Sequence, residues 1–129
     1  MTRGRRFMVF NVVGALGVVV QLTTFALLTG VAHVHYMTAT PVAVAAAVAH
    51  NFLWHRWWTW GDRRTQVRLA LLRFTLTNGL VSLAGNLGVM ATLVSGANVP
   101  LVPANVVAIT LCGLLNFWLG ETFVFSRAD

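Results

Sequence analysis

Along the 129 residues, polar charge gathers at three places and leaves two long apolar blocks between them. No Asp, Glu, Lys or Arg occurs from Phe7 to His55, and none from Phe74 to Gly120. About 20 residues suffice to cross a hydrocarbon core, so each block is long enough for two helices and a tight turn. Breakers place the turns: "TGVAHVHYMTATP" holds Gly30 and Pro41, and "SGANVPLVP" holds Gly96, Asn98, Pro100 and Pro103. The pattern predicts four helices, at roughly residues 7 to 29, 40 to 58, 72 to 95 and 102 to 121.

Composition sharpens this picture. The chain is 57% hydrophobic and 9% charged, whereas soluble domains carry about 25% charged residues. A water-soluble helical core would need polar helix faces that these segments lack. Arg3, Arg5 and Arg6 ahead of an apolar run also suggest a signal peptide, but the run is too long for an h-region and no small-x-small cleavage site follows. It is kept as a membrane helix.

All nine basic residues are arginine, and they lie before the first helix, between the two blocks, or after the last helix, as Arg127 does. By the positive-inside rule both termini and the central segment are expected in the cytoplasm. The expected fold is therefore an all-α integral membrane protein of four transmembrane helices, multi-pass in the cytoplasmic (inner) membrane. The net charge of +6 describes one membrane face, which suits anionic lipid headgroups better than nucleic acid. Cys112 is the single cysteine, so no disulfide framework exists. His33 and His35 fall short of a metal site for want of further ligands. There is no phosphate-binding Gly-rich loop with Lys and no paired carboxylates, so neither a cofactor nor an enzymatic activity is expected.

The two blocks echo each other. "RFMVFNVVGALG" (residues 6 to 17) matches "RFTLTNGLVSLAG" (residues 73 to 85), and "NFLWHRWWTW" (51 to 60) matches "NFWLGETFVF" (116 to 125). A single domain over residues 1–129 thus consists of two duplicated hairpins, about 5–60 and 72–125. Each has an even number of crossings, so the copies are expected to share one orientation about an axis near the membrane normal.

These doubled motifs, over roughly Arg5 to Phe125, resemble the GtrA-like family of small four-helix membrane proteins. The resemblance implies translocation of a polyprenyl-phosphate-linked sugar between leaflets for cell-envelope polysaccharide synthesis or glycosylation. It also implies an alternative, because related segments form the membrane part of some dolichyl-phosphate mannose synthases: a membrane anchor or partner subunit of a polyprenyl-phosphate glycosyltransferase. A small multidrug exporter is disfavoured, since the first helix contains no carboxylate. Four helices enclose little volume, which points to a homo-oligomer.

Candidate substrate-binding residues follow from their chemistry. Arg6, Arg56 and Arg73 stand at helix ends, where a guanidinium fork can hold a phosphate; a topology or headgroup role competes with this. Trp58, among Trp54, Trp57 and Trp60, suits either an aromatic belt or a sugar platform. Asn11, Asn51, Asn78 and Asn116 are amides that must find partners in hydrocarbon, as interhelical glue or along a polar path. Glu121 is the counterpart of Arg56 in the second copy, and pairing between the two is expected. Arg63, Arg64 and Arg68 read as surface contacts on the approach to the third helix.

Overall fold

The computed structural model describes residues 1 to 126, all of them helix or short connection; Arg127, used above for orientation, lies outside the described residues. The chain divides into two compact units, Met1–Asp62 and Arg63–Asp129, each a helical hairpin.

In the first hairpin, α1 (Arg3–Ala26) starts at Thr2, whose hydroxyl accepts from the Arg5 amide at 3.4 Å. It runs on through a wide π turn, π1 (Leu27–Val31). The helix stops because His33 turns left-handed, with φ of 54°; such a residue closes many helix C-termini, and histidine tolerates it better than most. Three residues later α2 (Tyr36–Trp54) begins, with His35 Nδ1 accepting from the Met37 amide at 3.3 Å. Both outer-turn histidines thus serve the backbone. A second wide turn, π2 (His55–Thr59), ends the hairpin, and the Trp60 amide donates to the His55 carbonyl at 2.8 Å.

Narrow stripes of small residues let the two helices approach. The buried positions of α2 include Ala39, Ala43 and Ala47, one per turn, while α1 buries Val9, Phe10, Val13 and Gly17. A Cβ on Gly17 would stand 2.1 Å from Asn51 Oδ1, so a larger residue there must push the amide side chain aside.

The second hairpin repeats this plan. It comprises α3 (Val67–Leu80), π3 (Val81–Gly85), α4 (Asn86–Met90), π4 (Ala91–Gly96), α5 (Leu101–Leu119) and π5 (Gly120–Val124). Asn98 takes the role of His33, with φ of 53°. From the outer turn onward the two hairpins correspond at a constant shift of 65 residues: His33 to Asn98, α2 to α5, π2 to π5. Ala104, Ala108 and Cys112 repeat the small stripe of α2.

Before the turn the register differs. The sequence echo aligns Arg6-Phe7 with Arg73-Phe74, yet Phe7 is exposed while Phe74 is buried. In packing, Phe10 is the match for Phe74: Phe10 meets Trp60 at 6.0 Å between centroids, and Phe74 meets Phe125 at 6.3 Å. The extra wide turn π3, which has no equivalent in the unbroken α1, accounts for the step from a shift of 65 residues to the 64 that separate Phe10 from Phe74; the Arg-Phe echo, at a shift of 67, lies three residues out of this packing register. A π turn inserts a residue into a helix, and so shifts every position before it.

The four expected helices are all present, each a few residues longer than predicted. Two segments, Arg3–Val31 and Val106–Val124, are long and apolar enough to cross a membrane. Large apolar side chains such as Val19, Leu22, Ile109 and Leu114 are exposed along them, as expected of surfaces that face lipid rather than water.

Candidate functional site

In each hairpin the start of the first helix lies beside the end of the second, and there the polar chemistry collects. The last carbonyls of a helix have no partner within it, and a cation placed there meets both the orphan carbonyls and the negative end of the dipole. The first hairpin meets this demand with Arg6. It is 5% exposed, its Nε donates to the Thr59 carbonyl at 3.1 Å, and its Nη2 pairs with Asp62 Oδ2 at 2.9 Å. Beneath it, His55 Nδ1 and Thr59 Oγ1 share a 2.9 Å hydrogen bond, and the imidazole stacks on Phe10 at 4.7 Å between centroids. Trp60 closes the cluster edge-on at 5.4 Å from His55.

The second hairpin uses two arginines. Arg63 donates to the carbonyls of Glu121 and Phe125 and pairs with Glu121 Oε1; the side chains of this pair are only 10% and 12% exposed. Arg73 donates to the Phe123 carbonyl at 3.1 Å and lies over the Phe123 ring at 4.7 Å. Where the first hairpin has His55 and Thr59, the second has the buried Gly120 and Val124, so its interior at this end is apolar.

Within the second hairpin Glu121 pairs with Arg63, and one sequence expectation is corrected by it: Arg63 was expected on the surface, yet it is nearly buried. The reason is that a carboxylate and a set of orphan carbonyls at one helix end require several donors, and the connecting segment delivers a five-donor fork to them.

The remaining candidates fall in different settings. Arg56 is half-buried within π2. Trp54, Trp57 and Trp58 are exposed, with Trp54 and Trp58 edge-to-face at 6.1 Å, whereas Trp60 is core. Asn11 is exposed and donates to the Phe7 carbonyl of its own helix. Asn51 Oδ1 meets His50 Nδ1 at 3.1 Å. Asn78 is half-buried. Asn116 Nδ2 reaches Ser82 Oγ at 3.3 Å, while its buried Oδ1 has no partner. The structure therefore brings Arg73 and Glu121 to one end of the second hairpin, with Asn116 farther along the helix.

His55, Thr59, Asp62 and Arg63 were not among the sequence candidates. One signal for them was available: Asp62 and Arg63 are adjacent opposite charges just beyond a run of buried and interfacial aromatics, where unpaired charge is costly.

Helices alone make up the regular structure of the described residues, with membrane-length apolar segments in both hairpins; the class is that of an all-helical membrane protein. The family model described as "GtrA/DPMS, transmembrane domain" matches residues 9–128, and the chain belongs to that family. A comparison with curated proteins finds none that matches.

Proposed function

We propose that the protein translocates a polyprenyl-phosphate-linked sugar across the cytoplasmic membrane, without an enzymatic step of its own. The observation that carries this reading is the family match over residues 9–128. Supporting it, the arginines of each hairpin collect at the end where its two helices begin and finish. In this reading all four helices span the bilayer and both termini and the 60–66 segment face the cytoplasm. The phosphate meets the arginine end first, and the prenyl tail stays in lipid. Half-buried amides such as Asn51, Asn78 and Asn116 offer the sugar hydrogen-bond partners that hydrocarbon does not.

The test is reconstitution in liposomes with a labelled polyprenyl-phosphate sugar, following headgroup exposure with a membrane-impermeant reagent. Protein-dependent movement, lost in Arg56→Ala and kept in Arg64→Ala, is the expected result. Movement no faster than in empty liposomes, with folded protein, rejects it in favour of the anchoring of a glycosyltransferase.

A further inference from the structure

Arg6 and Arg73 look alike in sequence, but their guanidinium groups are spent differently. Arg6 is buried against Asp62 and the Thr59 carbonyl. Arg73 is half-buried, makes one hydrogen bond to a carbonyl, and lines a groove of about 220 Å³ within the second hairpin. The groove is formed by Thr65, Gln66, Leu69, Arg73, Val124 and Ser126. None of its described lining residues is acidic, and the carboxylate of the same helix end, Glu121, is neutralised by Arg63. Gln66 makes no capping bond with its side chain, which leaves the amide to the groove.

We infer that this groove of the second hairpin is an anion site for the phosphate of a lipid. Three features select the ligand. Arg73 supplies a fork of N–H donors of which one is committed to Phe123, and guanidinium is the donor best matched to phosphate oxygens. Gln66 adds a neutral amide donor beside it. Leu69 and Val124 make the remainder apolar, which suits the first carbons of an acyl or prenyl chain. The volume lies below the roughly 300–1,000 Å³ of ordinary small-molecule pockets, so it holds a headgroup fragment and leaves the tail outside. Two lipids carry this chemistry, a polyprenyl phosphate and an anionic phospholipid. The choice of the former rests on the function proposed above, but the site itself does not.

Binding of radiolabelled polyprenyl phosphate to the purified full chain in neutral detergent tests the inference. Loss of a charge-assisted fork should weaken binding by about tenfold or more in Arg73→Ala, with partial recovery in Arg73→Lys. Arg68→Ala, an exposed arginine outside the groove, should bind as the parent does. Because Arg73 also holds the Phe123 carbonyl, Leu69→Trp serves as a second variant that fills the groove and leaves the arginine in place; it too should lose binding. Unlabelled polyprenol should not compete. Competition by phosphatidylglycerol at equal concentration would assign the site to bulk anionic lipid, and its failure to compete would assign it to the polyprenyl phosphate; either outcome upholds the phosphate site. Equal binding by parent, Arg73→Ala and Leu69→Trp, or an Arg68→Ala loss as large as that of Arg73→Ala, overturns it. Binding without leaflet transfer would reject the proposed transport and leave the site standing, so the two failures are distinct.

Discussion

In the first hairpin the cation that closes the second helix comes from the helix packed beside it, and a buried His–Thr pair lies underneath. In the second hairpin Arg63 reaches in from the connecting segment, Arg73 assists from α3, and the interior below is apolar. The backbone plan is the same, down to the left-handed residue at each outer turn and the wide turn at each helix end. What the two share is therefore a demand, the satisfaction of orphan carbonyls at a π-turned C-terminus, and not the residue that meets it. The consequence for function is that one hairpin consumes its helix-start arginine in structure, while the other leaves Arg73 largely available beside a groove.

Breaking the two clasps should give the largest effects, and unequal ones. Arg63→Ala removes an ion-pair partner from a carboxylate that is only 12% exposed, and loss of one partner from a buried pair costs about 3–5 kcal/mol. Arg6→Ala leaves Asp62, whose side chain is 40% exposed and can turn to water, so about 2 kcal/mol is expected, mostly from the Thr59 carbonyl. Thermal melting of the two variants in one detergent compares them; equal losses would show that the clasps are energetically alike. Adding Glu121→Gln to Arg63→Ala should recover part of the loss.

The helix crossings give the next contrast. A Cβ at Gly17 meets Asn51 Oδ1 at 2.1 Å, and one at Gly85 meets Cys112 Sγ at 2.6 Å. Gly17→Ala should cost about 1–3 kcal/mol by forcing the amide aside, and Gly85→Ala less, since the clash is milder. A larger loss at Gly85, seen in the same melts, would reverse this ranking.

Smaller still is the polar interior of the first hairpin. Thr59→Val gives it the residue that the second hairpin carries at the matching position, and removes the partner of His55 Nδ1 at a cost of about 1–2 kcal/mol. A neutral result would mean that the His–Thr pair adds nothing to stability. At the outer turns, His33→Gly should stabilise by about 0.5–1 kcal/mol by relieving a left-handed residue. Asn98→Gly should gain less, because asparagine tolerates that conformation; an equal gain at both turns would remove the distinction.

Much of this architecture was legible in the sequence. The charge-free blocks and their Gly and Pro breakers marked four helices, and Asn98 stands at the turn it signalled. The echo of "NF" with trailing aromatics located both helix ends, since Asn51 and Asn116 do correspond at the shift of 65 residues. The register of the first helices was not legible, because the Arg-Phe echo pairs Phe74 with Phe7 whereas packing pairs it with Phe10, three residues on, and a wide turn such as π3 has no sequence signature. Nor was the Arg63–Glu121 pair, since Arg63 is a loop residue whose approach depends on three-dimensional closure. Trp60 illustrates the same limit: composition groups it with Trp54, Trp57 and Trp58, and only packing separates a core ring from three exposed ones.

Asp62 belongs to the clasp of the first hairpin and Arg63 to that of the second, so a single peptide bond separates the last residue one clasp uses from the first residue the other uses. The chain is divisible at that bond: a cut there would sever its continuity and leave both ion pairs whole. Each half would carry away the cation, the carboxylate and the capped turn that its own two helices require.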